Sequence, residues 1–297
     1  MHYENRQPKE GVNVTRHNPL VTLFKLLVSA IVLVVIVVLI VNLLGGKLAR
    51  FVPYRFESAI MQRVPYDFSS GEMISDSAST ANPERSAQPI ELYLRDLAQR
   101  VLTHMPFPEG MDVTLHYNAD EVFNAFATLD GNVVFYRGLL QQMPHENALA
   151  MVMAHEMAHV LHRDPIAGLG GGIASMAALS ALAGGVFNNS LGGVLNQTGL
   201  LTQMKFTRDM ENAADQAAIE AVASMYGHVG GAAALFELLA TENGASFEGT
   251  PDWLETFVRT HPTDRNRIRA INDAAVESGW SASGELTPLP DGFKDWL

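Results

Sequence analysis

A chain of 297 residues with 32 acidic and 20 basic side chains has a formal charge of −12 and a pI near 5.2. It is long enough to bury one large core or two small ones, and its acidity argues against a nucleic-acid surface. It contains no cysteine, which excludes disulfides, thiolate metal sites and a cysteine nucleophile, so any metal must sit on His, Asp or Glu.

Residues 1–22 are polar and mixed in charge and predict a loose tail. From Leu26 to Leu44 the chain is almost wholly Leu, Val and Ile, broken by Ser29 and Asn42. A run of about 19 residues can cross a hydrocarbon layer of about 30 Å. A core helix would carry a polar stripe, and a cleaved leader would end in an A-x-A-like site, which Leu44-Gly45-Gly46-Lys47 is not. An uncleaved anchor over residues 23–46 is therefore expected. Arg6, Lys9, Arg16 and Lys25 precede it and Lys47, Arg50, Arg55 and Arg63 follow it, so the positive-inside rule gives no orientation.

Residues 47–89 read as a juxtamembrane segment and linker. Phe51–Val64 mixes aromatic, basic and acidic residues, as a short interfacial helix would, and Asp67–Pro89 is rich in Ser and Ala. The globular domain is expected from Ile90 to Val276. Ile90, Leu92, Leu94, Leu97, Val101 and Leu102 give a helical stripe along Ile90–Met105. Asp112–Tyr117, Val122–Thr128 and Asn132–Tyr136 read as strands, the last two joined as a hairpin at Leu129-Asp130-Gly131.

Pro144-His145-Glu146 opens the next helix and Asp164-Pro165 closes it. Inside it stands His155-Glu156-Met157-Ala158-His159, in a setting of Met151, Val152, Met153, Ala154, Val160 and Leu161. At 3.6 residues per turn the two histidines share one face, where two neutral imidazoles can hold a zinc ion and Glu156 can deprotonate an activated water. The bland reading, a buried helix with satisfied polar residues, fits poorly, because His and Glu are costly in so apolar a helix without a partner.

Residues 166–204 carry no charge and are dominated by Gly, Ala, Ser and Leu. A second membrane span, a lid or membrane-dipping segment, and an ordinary buried helix all fit. The place between two chemically loaded helices favours the lid. Helices are expected at Phe206–Met225, Ala232–Thr241, Trp253–Val258 and Thr263–Val276, and residues 277–297, rich in Gly, Ser and Pro, read as a tail over the surface.

The extended motif H-E-x-x-H-x-x-G-x-x-H needs Gly at 162 and His at 165. The chain has His162 and Pro165 there, so a carboxylate on a later helix is the remaining third ligand. Glu211-Asn212-Ala213-Ala214-Asp215 offers Glu211 as ligand and Asp215 to orient a ligand imidazole. Alone, with Arg208, Asp209 and Glu220 nearby, this would read as a solvated helix face. Thr260-His261-Pro262-Thr263-Asp264-Arg265-Asn266-Arg267 places a histidine before a helix and an arginine inside it. Such an arginine can stabilise an oxyanion, and a surface turn is the equal alternative.

The three segments 155–159, 206–215 and 260–268, with hairpin segments 124–127 and 133–140, resemble the membrane-bound zinc endopeptidases related to HtpX and the CAAX prenyl proteases, in the glutamate-liganded zincin class. The likeness spans roughly residues 90–271. It implies an α+β, predominantly helical zincin-like domain with a small sheet, preceded by one transmembrane helix. One Zn²⁺ would sit on His155, His159 and Glu211, with Glu156 as general base. His261 and Arg267 match residues beside the metal, the histidine as a switch or transition-state donor, and His162 has no required role. The expected activity is hydrolysis of peptide bonds in unfolded or damaged membrane and envelope proteins, with the substrate extended along Asn132, Val133, Val134 and Phe135 as an added edge strand. Family analogy leans the domain towards the extracytoplasmic side. A membrane-tethered chaperone-like or binding protein with a latent or structural zinc site is the alternative.

Overall fold

The computed structural model describes residues 18–51, 53–61, 66–68, 72–73, 88–169, 206–242, 256–257, 259–261 and 266–297. Helix α1 (Pro19–Ala49) contains the apolar run and leaves its side chains exposed along the length of a candidate span, Pro19–Val37. At 1.5 Å per residue its 31 residues reach about 46 Å, longer than a hydrocarbon layer of about 30 Å. A short helix α2 (Arg55–Met61) follows, then a two-stranded ladder β1 (Tyr66–Asp67) and β2 (Glu72–Met73).

Parts of the expected linker are thus built into the fold. Phe68 is buried against Phe126 and Val134, and its carbonyl accepts the Asn118 amide N–H at 3.2 Å. The rest of that stretch lies outside the described residues.

Helix α3 (Pro89–Leu102) starts where the Gln88 N–H finds the Glu91 carboxylate, 2.9 Å away, and buries Ile90, Leu94, Leu97 and Val101. Strands β3 (Thr114–Asn118), β4 (Ala125–Ala127) and β5 (Asn132–Tyr136) form a sheet in the order β3-β5-β4, with β3 parallel and β4 antiparallel to β5. The hairpin turn is a 3-10 turn over Leu129–Gly131. Gly131 has φ 66, and a Cβ there would fall 1.9 Å from the Asp112 carbonyl oxygen. After the short helix α4 (Arg137–Gln141), helix α5 (Glu146–Leu161) runs through the middle of the core, with every residue from Glu146 to Val160 buried.

The expected substrate strand needs correction. Asn132, Val133, Val134 and Phe135 lie in β5, the central strand. Val133–Phe135 is paired on both sides and Asn132 is paired to Thr114. Their backbone groups are spent inside the sheet, so no added strand can pair there. The sheet edge beside helix α5 is β4.

Helix α6 (Arg208–Tyr226) begins at Thr207, whose Oγ1 accepts the Met210 N–H at 3.3 Å, and ends at Gly227 with φ 76. It packs along α5, and α7 (Ala234–Glu242) and α8 (Asn266–Ser278) close the domain. Beyond residue 169 the expected lid falls outside the described residues; Ile166, Ala167 and Leu169 are buried. The C-terminal segment is more than a tail. Thr287 bonds Glu146 and Asn147 at the start of α5, Phe293 is buried, and Trp296 packs edge-on to Tyr93.

Candidate metal centre

Four donor-bearing side chains from three parts of the chain meet in the core. His155 and His159 come from α5, Glu211 from the first turn of α6, and His261 from the residue that follows helical Arg259 and Thr260. All four are buried. His155 Nε2 and His159 Nε2 lie 3.1 Å apart. Glu211 Oε2 lies 3.5 Å from His155 Nε2, and Glu211 Oε1 lies 3.5 Å from His159 Nε2 and 3.2 Å from His261 Nδ1; His261 Nδ1 is 3.4 Å from His155 Nε2. An ion bound tetrahedrally by imidazole and carboxylate at about 2.0–2.1 Å has ligand atoms about 3.3–3.4 Å apart. The donor set therefore fits a small tetrahedral metal ion.

The outer nitrogens of the two α5 histidines face carboxylates. His155 Nδ1 is 2.9 Å from Asp215 Oδ1, one turn beyond Glu211 on α6. His159 Nδ1 is 2.8 Å from Asp164 Oδ2. Each pairing puts the ring proton on the outer nitrogen and turns the Nε2 lone pair towards the shared centre. Sequence reasoning treated Asp164 as a helix stop and missed this contact. The clue was that both α5 imidazoles need an orienting partner, while Asp215 can serve one of them.

The electrostatics favour positive charge at the centre. Burial alone would depress His155, but Asp215 and Glu211 outweigh it and lift its pKa to about 10. His159 is also raised, because Asp164 and Glu211 overcome its burial. Burial would raise Glu211, yet the three imidazoles around it hold it far below the usual carboxylate range. A cluster that binds protons this strongly suits a cation.

Glu156 follows His155 and is fully buried. Neither of its oxygens has a hydrogen-bond partner among the described residues, and Oε1 lies 3.4 Å from His261 Nε2. A buried carboxylate without such partners is costly unless a cation or a reacting molecule stands near it. Beside Glu156 and His155 lies a mainly apolar pocket walled by Met151, Val152, Phe236 and Phe257.

Arg267 is placed differently from the oxyanion donor suggested by its sequence. Its Nε reaches Asp215 Oδ2 at 2.6 Å, a terminal nitrogen reaches Glu211 Oε2 at 3.1 Å, and its guanidinium lies 4.3 Å from the Phe236 ring centre. Its N–H groups are directed to the donor carboxylate Glu211 and to Asp215, the partner of His155, so it clamps both in place. His162 caps the end of α5 outside the cluster.

The strand β4 approaches this centre at its start. Asn124 Oδ1 accepts the Thr260 hydroxyl at 3.4 Å, next to His261, and Phe123 meets Phe257 edge-on.

A family model described as peptidase family M48 matches residues 88–275. The chain is 28% identical over 194 residues to the mitochondrial metalloendopeptidase OMA1 of Schizosaccharomyces pombe, covering 65% of this chain and 55% of that protein. It is 38% identical over 74 residues to the beta-barrel assembly-enhancing protease of Escherichia coli (strain K12), covering 24% of this chain and 14% of that one, and equally to its counterpart in Shigella flexneri. The chain thus spans little more than half of the yeast relative and a seventh of the bacterial ones. The match runs through all four donors, Glu156 and both orienting aspartates, and the chain belongs to peptidase family M48.

Proposed function

We propose that this chain is a membrane-anchored, zinc-dependent endopeptidase that hydrolyses peptide bonds of unfolded or damaged membrane and envelope proteins. The observation that carries the reading is Glu156, a buried carboxylate without a hydrogen-bond partner among the described residues, set beside the His155, His159, Glu211 and His261 donor cluster. A structural metal site has no use for such a group.

In this reading His155, His159 and Glu211 hold the ion. Their nitrogen and oxygen donors and tetrahedral spacing suit zinc, which when bound supplies a Lewis acid that activates water and polarises the scissile carbonyl. Glu156 accepts the proton of the attacking water and returns it to the leaving amine. Asp215 and Asp164 fix the two imidazoles, and Arg267 holds Asp215 and Glu211. The substrate pairs its backbone with β4, the edge strand beside the centre, in place of β5. Backbone pairing reads little side-chain sequence, which favours unfolded segments.

His261 occupies the fourth corner of the donor set. Four protein ligands leave no open position, so the arrangement is a closed one and His261 acts as its gate. The same closure favours the second reading, a membrane-tethered binding protein with a latent zinc site. Cleavage of an unfolded protein by the zinc-loaded, detergent-solubilised chain and its His261→Ala variant separates the two. Faster cleavage by the variant supports the gated peptidase. Binding of unfolded chains with no cleavage by either protein supports the latent site.

A further inference from the structure

Glu57, on the short helix after the anchor, is buried, and its two oxygens serve different parts of the domain. Oε2 accepts the Asp130 backbone N–H at 2.9 Å. Oε1 takes the Arg163 guanidinium, with Nε at 2.7 Å and a terminal nitrogen at 2.6 Å. Asp130 and Arg163 are the two non-glycine residues with left-handed backbone among the described residues, at φ 60 and 61. That conformation is disfavoured for a residue with a Cβ, and one carboxylate braces both. Ser58 adds a short hydrogen bond to the Asp130 side chain. The Tyr54 ring lies 5.4 Å from the Arg163 guanidinium, and its hydroxyl donates to the Asp112 carbonyl.

The turn at Arg163 ends α5 and returns the chain so that Asp164 reaches His159 Nδ1 at 2.8 Å. The second oxygen of Asp164 is taken at 2.6 Å by Arg50, the residue after the last of α1. Arg50 thus lies two contacts from a donor of the metal centre. Phe51 and Phe56 are exposed at 83% and 49% on the same short segment, as aromatic residues at a membrane interface are.

We propose that Arg50 and Glu57 are positioning residues of the metal centre. Arg50 acts through Asp164, and Glu57 through Arg163, to keep His159 Nε2 aimed at the other donors. The seating of the anchor against the domain therefore sets metal affinity. This rests on the reading of the cluster as a metal site. A brace that merely stabilises the fold would lower the melting temperature and leave the geometry of the bound metal unchanged.

The test uses the full chain in detergent micelles, comparing wild type with Arg50→Ala, Arg50→Lys, Glu57→Gln and, as a control on the exposed face of α2, Arg55→Ala. The readouts are zinc affinity by chelator competition and the visible absorption of the cobalt-loaded protein. Loss of an outer partner of a ligand histidine typically weakens metal binding 10- to 100-fold. Arg50→Ala, one contact further out, should lose on the order of 10-fold and shift the cobalt bands, while Arg50→Lys recovers most of the loss. Glu57→Gln should weaken zinc in the same direction, and Arg55→Ala should match wild type. Wild-type zinc affinity and an unaltered cobalt spectrum in Arg50→Ala and Glu57→Gln, however low their melting temperatures, would overturn the proposal. A wild-type chain that binds no zinc would instead overturn the metal-site reading beneath it.

Discussion

Asp164 Oδ2 lies 2.8 Å from His159 Nδ1, across a helix end and a left-handed turn at Arg163. The contact joins the end of the donor helix to the foot of the anchor, since Arg50 holds the other oxygen of the same carboxylate.

Asp164→Ala should weaken zinc binding about 10- to 100-fold, because the His159 ring loses the acceptor that fixes its tautomer. Asp164→Asn should fall between, as its amide oxygen still accepts the ring N–H. Chelator competition at neutral pH measures both, and equal affinity in all three proteins would show that the contact does not orient the ligand.

Arg267 lies between two buried carboxylates and is itself 5% exposed. Arg267→Ala leaves Asp215 and Glu211 without their shared cation, which should cost the metal-free protein about 3–5 kcal/mol. Bound metal neutralises part of the same charge, so the zinc-loaded variant should lose less. Denaturant unfolding with and without zinc tests this; equal losses in both states would show that Arg267 does not act through the metal centre.

Glu146, at the start of α5, accepts from Arg100, Tyr93 and Tyr226. Burial by itself would raise its carboxyl, but these donors outweigh it and hold the pKa below the ordinary 4.5. The unfolded state therefore binds more protons in the acid range. The stabilisation is complete above the ordinary value and is lost as pH falls through the depressed one. Glu146→Gln should cost about 1–3 kcal/mol at pH 7, towards the low end because the Arg100 side chain is 39% exposed. Its stability should then vary less than wild type below pH 5. Parallel stability–pH curves would contradict the assignment.

What could be read from the sequence follows from how each signal is encoded. His155, Glu156 and His159 sit at helical spacing in one apolar run, and Glu211 with Asp215 repeats that spacing, so each pair's shared face was legible before any coordinates. Asp164 carries no such period, because it reaches His159 through a turn rather than along a helix face. The alternation in Asn132–Tyr136 gives the strand and its two faces but not its neighbours. The parallel partner Thr114–Asn118 pairs with it past an intervening strand, so a strand taken for an edge is central. Glu57 looks like one more solvated acid in a mixed-charge segment, and its burial depends on Asp130 and Arg163, both far away in sequence. Residues 277–297 have the composition of a loose tail, yet Thr287, Phe293 and Trp296 fasten them to the start of α5 and to Tyr93.

The most direct test of a peptidase worked by Glu156 is the Glu156→Gln variant of the full chain, assayed together for zinc content and for cleavage of an unfolded protein. Glutamine keeps the shape of the side chain and removes its basicity. The expected result is one zinc per chain, as in wild type, with cleavage reduced by at least about 100-fold, the low end of what a general base contributes. Zinc retained with cleavage near the wild-type rate would contradict the role given to Glu156.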